Sequence, residues 1–113
     1  MDQLTRFRQT ICDVLNKLAD WYNQPPASNI QTYPIFDKER DHYLLIDVGR
    51  ENNKRVRSIV VYIRIENGKI WIEEDWTDEG VADDLVDAGI TKSNIVLGFK
   101  PPELRPFTEF AVA

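Results

Sequence analysis

The chain has 113 residues, 42% of them hydrophobic and 11% aromatic, which suits one ordered domain and is too short for two of ordinary size. Its formal net charge of −5 is unevenly spread: residues 1–72 hold 11 Lys/Arg against 9 Asp/Glu, and residues 73–113 hold 3 against 10. That acidic bias counts against non-specific duplex binding, whose affinity comes mainly from cations displacing counterions. The lone cysteine, Cys12, excludes an intrachain disulfide and a zinc site built on several thiolates.

Residues 3–23 read as an amphipathic helix. Leu4, Phe7, Ile11, Val14, Leu15, Leu18 and Tyr22 recur at three- and four-residue steps, which makes one apolar stripe suited to packing on a sheet. Asp2 is the expected N-cap, and Pro25-Pro26 stops the helix. Cys12 beside Ile11 is expected to be a buried, inert thiol. The N-terminus lacks the apolar stretch of a signal peptide, and the longest apolar run is Ile59–Ile63. No membrane span is therefore expected, and the cytoplasm is the expected compartment.

Residues 25–29 read as a linker. Ile30–Phe36 is a candidate strand that Pro34 confines to an edge. His42–Val48 alternates, with Leu44, Ile46 and Val48 on one face and Tyr43, Leu45 and Asp47 on the other. Gly49–Arg55 reads as a polar turn. Ile59–Glu74 is a β-hairpin on Asn67-Gly68, a pair that supplies both positive-φ positions of a type I′ turn. That turn pairs Glu66 with Lys69, Ile65 with Ile70, Arg64 with Trp71, Ile63 with Ile72 and Tyr62 with Glu73. Val61, Ile63, Ile65, Ile70 and Ile72 then share one face.

Thr77 reads as the N-cap of a short helix with Asp78 and Glu79 at its positive end and Gly89 after its last turn. Val81, Ala82, Leu85 and Val86 form its apolar side, while Asp83, Asp84 and Asp87 face water. Thr91–Asn94 is a turn. Ile95–Phe99 is a short buried strand or extended segment, ended by Pro101-Pro102.

Three groups of residues carry possible chemistry. Glu73, Glu74, Asp75, Asp78 and Glu79 suggest a divalent-metal site, but neither EF-hand spacing nor a nuclease Asp…Glu-x-Lys pattern is present. Solvated carboxylates near a helix start are the plainer reading. His42 is the only histidine, and no serine sits in a nucleophile elbow, so no triad is legible. Arg50, Lys54, Arg55 and Arg57 form a basic cluster. It is a solvated loop, a nucleic-acid contact, or a contact for an acidic partner such as a second copy's 73–87 run. Tyr62, Arg64 and Trp71 share the face away from the isoleucines and are residue types favoured at interface hot spots. That face is either a partner surface or the floor of the chain's own C-terminal segment.

Several stretches together carry a family resemblance: Asp41-His42-Tyr43-Leu44-Leu45, Gly68-Lys69-Ile70-Trp71-Ile72, Asp75 with Thr77, and Gly80-Val81-Ala82-Asp83-Asp84-Leu85-Val86. To these are added Asn94-Ile95-Val96-Leu97-Gly98-Phe99, Pro101-Pro102 and Phe110-Ala111-Val112-Ala113. In this order they resemble the XisI family, the cyanobacterial fdxN-element excision controlling factors. The resemblance implies an α+β domain over residues 1–113 and a role, beside a companion protein XisH, in letting a site-specific recombinase excise a DNA element. It transfers no catalytic residue. Tyr62 and Lys100 stand where histidines are frequent in the family.

The expected architecture is a long N-terminal helix packed on an antiparallel sheet of three or four strands, with a short second helix and an extended C-terminal arm. The expected function is a non-enzymatic accessory factor for excision that needs no cofactor and binds a XisH-like protein, with a recombinase complex or a second copy as further partners. Tyr62, Arg64, Trp71, Glu73, Asp83, Asp84 and Asp87 are its candidate interface. The alternatives are a DNA-binding excisionase using Arg50–Arg57, and a metal-dependent hydrolase built on Glu73–Glu79.

Overall fold

The computed structural model of the chain describes residues 2–24 and 29–113. Helix α1 spans Gln3–Tyr22, and the Asp2 carboxylate accepts from the Thr5 N–H at 2.8 Å as its cap. Five strands follow: β1 Ile30–Asp37, β2 His42–Glu51, β3 Lys54–Glu66, β4 Lys69–Asp75 and β5 Ile95–Leu97, in sheet order β1-β2-β3-β4-β5. Helix α2, Val81–Asp87, lies between β4 and β5. The α+β layering is as expected. The sheet has five strands rather than three or four, because Ile95–Leu97 joins β4 in parallel. A parallel pair needs a crossover, and α2 supplies it. The proposed linker, apart from Asn29, lies outside the described residues.

Phe7, Ile11 and Leu15 of α1 meet Tyr43, Leu45, Val61, Ile63, Ile70 and Ile72 of the sheet and Val81 and Leu85 of α2 in one core. Each of these is at most 1% exposed, so truncation of any of the aliphatic ones to Ala is worth about 2–5 kcal/mol. Leu4 and Tyr22 end the helical stripe and are 38% exposed. Cys12 is buried, and burial pushes its thiol pKa up.

Both hairpins of the central strands turn on two residues of positive φ: Asn67 (52°) and Gly68 (76°), as expected, and Asn52 (53°) and Asn53 (64°). The second pair corrects the reading of Gly49–Arg55 as a turn. β2 continues to Glu51 and β3 begins at Lys54, because Asn tolerates the left-handed conformation that a type I′ turn needs. Two register shifts bend the sheet. Leu45 faces Val61 while Ile46 faces Ile59, leaving Val60 extra. Ile63 faces Ile72 while Tyr62 faces Glu74, so the expected Tyr62–Glu73 pair is not made. Each is a bulge that the hydrophobic pattern of a single strand does not report.

Asn23 ties the end of α1 to the sheet. Its side chain donates to the Thr32 carbonyl at 2.8 Å and accepts from the Thr32 N–H at 2.9 Å, much as a neighbouring strand would. The start of α2 also differs from expectation. The helix begins at Val81, and Asp75 provides the cap: its carboxylate accepts from the Val81 N–H (2.7 Å), the Thr77 N–H (2.9 Å) and the Thr77 hydroxyl (2.5 Å). Thr77 in turn accepts from the Gly80 N–H at 3.1 Å. Gly89, at φ 106°, ends the helix, and the Ile90 N–H reaches the Leu85 carbonyl at 3.0 Å. Among the described residues no helix is long and apolar enough to cross a membrane.

Candidate functional site

The sheet has a covered face and an open one. Strand alternation puts Tyr33 and Ile35 of β1, Leu44, Ile46 and Val48 of β2 and Ile59 of β3 on the side away from α1. Tyr33 and Ile35 are each 48% exposed and Ile59 is 37% exposed. A contiguous apolar patch with a polar margin is the usual composition of a protein contact surface.

At the β4 side of this face lie Tyr62, Arg64 and Trp71. The Tyr62 hydroxyl is 2.8 Å from His42 Nδ1. Arg64 donates to Glu73 at 3.2 Å and to Glu66, and these bonds hold its pKa above the usual guanidinium value. Its guanidinium carbon is 5.2 Å from the Trp71 ring centroid, and that of Arg105 lies at the same distance. Arg105 is fixed there by bonds to the Lys100 carbonyl (3.1 Å) and the Gly98 carbonyl (3.3 Å). The C-terminal segment therefore covers part of Trp71, whose buried Nε1 has no hydrogen-bond partner among the described residues, while Tyr62 sits toward the open part of the face.

Asp83, Asp84 and Asp87 lie elsewhere. They belong to α2, which packs on the covered side, and Asp84 and Asp87 line a concavity with Val14, Lys17 and Leu18 of α1. Burial, followed by repulsion from Asp87 and Glu79, raises the Asp84 pKa. The sequence-derived interface residues thus fall in two groups on opposite sides of the sheet.

Nor do the acidic residues of 73–79 converge. Glu73 pairs with Arg64, Glu74 accepts from the Trp76 indole at 2.7 Å, and Asp75 caps α2. Among the described residues no group of three or more His, Cys, Asp or Glu is placed to hold a metal ion. Arg50, Lys54, Arg55 and Arg57 are all exposed on the part of the β2–β3 hairpin that projects beyond β4. Within the described residues none of the four forms an ion pair.

Three residues that organise these surfaces escaped the sequence reading. Arg105 fixes the C-terminal turn on Trp71. Trp76, 73% exposed, follows β4. Asp41 accepts two bonds from Arg8 (2.8 and 3.1 Å) and one from the Tyr43 hydroxyl (2.8 Å). Only Asp41 lay within a quoted motif, and its partner Arg8 is 33 positions away.

Residues 1–112 match the family described as XisI protein. The chain belongs to the XisI family. Two solved structures share the fold. The fdxN element excision controlling factor XisI from Anabaena variabilis ATCC 29413 is 43% identical, with 99% of this chain and 100% of that one covered and a TM-score of 0.85. A XisI-like protein from the same organism is 30% identical, with 97% and 99% covered and a TM-score of 0.87. No curated protein matches the chain. In this chain Gly98 has a packing reason: a Cβ there would fall 1.9 Å from Glu73 Oε1, of the carboxylate that Arg64 engages, and 3.1 Å from the Ile72 carbonyl oxygen. The terminal Phe110–Ala113 stretch has one as well, since the Ala111 N–H bonds the Ile95 carbonyl at 2.8 Å along the outer edge of β5.

Proposed function

We propose that this XisI-family chain is a non-enzymatic accessory factor in the controlled excision of a DNA element, acting by binding a partner protein, most simply a XisH-like one. The observation that carries this reading is the uncovered apolar face of the sheet, with Tyr33 and Ile35 half exposed beside Leu44, Ile46 and Ile59. Such a surface costs solubility unless something covers it. Tyr62, Arg64 and Trp71 would form its polar and aromatic margin. Asp83, Asp84 and Asp87 would belong to a separate surface on the helical side. Membership of a family whose named relative is an excision controlling factor supplies the biological setting.

The test is co-purification with a XisH-like protein. Tyr33→Asp and Ile35→Asp are expected to weaken the complex by about 2 kcal/mol or more if these residues are hot spots, while circular dichroism stays unchanged. Folded variants that bind as tightly as wild type would overturn the assignment of this face. Trp71→Ala is a poorer probe, because Trp71 also supports the chain's own Arg105.

A further inference from the structure

The first half of β3 is an uncovered edge. Residues 54–59 pair with β2 on one side only, since β4 begins its pairing at Val61 and ends with the Trp76 N–H bonded to the Val60 carbonyl at 2.8 Å. Lys54, Arg55, Arg57, Ser58 and Ile59 are all exposed. A free edge of this length is a template for another strand unless it is short, bulged, charged or covered, and the cations on this one restrict it to a partner that supplies carboxylates beside the paired strand.

Beside that edge lies a concavity of about 650 Å³ whose walls include Tyr22, Asp47, Ile59, Glu74, Trp76 and Asp78. An adjoining hollow shares Tyr22 and Asp78 and adds Trp21, Glu79 and Asp84. No Lys or Arg lines either one. Three aromatic side chains stand open around them: Trp76 at 73%, Trp21 at 65% and Tyr22 at 38% exposure. The site is therefore apolar and negative, whereas the hairpin edge next to it carries unpaired positive charge.

We infer that this edge pairs antiparallel with the same edge of a second copy. In such a pairing about a twofold axis near Arg57, Arg55 of one copy falls opposite Ile59 of the other. Lys54 and Arg55 then reach the neighbour's Glu74, Trp76 and Asp78, and the reverse contact is made by symmetry. Guanidinium over indole and cation beside carboxylate are both favourable there. Among the described residues the only cluster of unpaired cations and this cation-free groove lie on one edge, and twofold symmetry alone brings each against the other. The pairing extends the sheet sideways and takes only Ile59 from the margin of the open face, leaving Tyr33 and Ile35 of the partner-binding proposal free, so either can fail without the other.

The experiment measures the mass of the full chain in solution by light scattering across protein concentration and salt. Wild type is expected to be a dimer that weakens as salt rises. Ile59→Lys, which puts a charge in the paired edge, is expected to be monomeric. Lys54→Glu with Arg55→Glu, and separately Glu74→Lys with Asp78→Lys, are each expected to weaken dimerisation about tenfold or more. A one-to-one mixture of these two variants is expected to form a heterodimer, since each hairpin then meets a groove of opposite charge. Lys54, Arg55, Ile59 and Asp78 are exposed and Glu74 is half-buried, and circular dichroism checks that each variant is folded. A monomeric wild type overturns the inference, as does a dimer indifferent to both charge reversals. A monomer that binds duplex DNA through Lys54 and Arg55 would also overturn it, and would assign these cations to nucleic acid.

Discussion

Asp41 shows how much a single residue can organise. It sits at φ 61° in the turn before β2 and joins α1, through Arg8, to the buried Tyr43. Arg8 above all, and then the Tyr43 hydroxyl, hold its carboxyl below the usual carboxylate range against the opposing effect of burial. Its contribution to stability is therefore complete above about pH 4, the unfolded value for Asp, and is lost as pH falls through the lower folded value. Asp41→Asn removes the charge and one acceptor oxygen while keeping the shape. The expected cost near neutral pH is about 1–3 kcal/mol, moderated because Arg8 is one-third exposed. The urea midpoints of variant and wild type should converge in strong acid. A gap that stays constant from neutral to acid pH would mean that the charge is not what matters.

At the scale of elements, α2 is the clearest case of a local signal pointing near the right place for the wrong reason. Thr77 followed by two carboxylates reads as a helix start, yet the helix opens at Val81 with Asp75 reaching forward from the end of β4. One carboxylate thereby ends a strand, orders the Thr77–Gly80 connection and caps the helix. Asp75→Ala is expected to cost about 1–2 kcal/mol, as loss of a good cap does. It should also raise amide exchange over residues 77–87 more than elsewhere. Uniform exchange and an unchanged unfolding midpoint would show that α2 is held by Val81 and Leu85 packing alone. The same carboxylate serving as a cap is also the physical reason that the 73–79 run does not gather into a metal site.

Over the whole molecule, charge is segregated. The cations of the hairpin stand at one end of β3, while the net charge of −5 comes from the second half of the chain. A duplex would meet a predominantly negative body, so the isolated protein is expected to show no measurable DNA binding at physiological salt. Sub-micromolar, salt-dependent binding to recombination-site DNA, weakened by Arg55→Ala and Arg57→Ala, would reverse that ranking.

What could be read from the chain alone was whatever depends on neighbours in sequence. The α1 stripe, the Asn67-Gly68 turn, the four hairpin pairs nearest it and the termination at Gly89 all follow from periodicity and backbone preference, which act within a few residues. The edge position of β1 follows equally from the missing N–H of Pro34. The family, too, was legible, because its motifs are runs of adjacent residues. The rest is set by contacts between distant positions. Two bulges displace Val60 and Glu73, and β5 joins the sheet only across the α2 crossover. Asn23 completes β1 from the end of a helix, and Arg105 reaches back to Trp71. Most consequential for the candidate site, strand alternation and helix packing put the Tyr62–Trp71 group and the α2 aspartates on opposite sides of one sheet. The register of β4 stops at Val61 and leaves the rest of β3 paired on one side only. Which residues share a surface is a property of the folded layers, and it was decided only there.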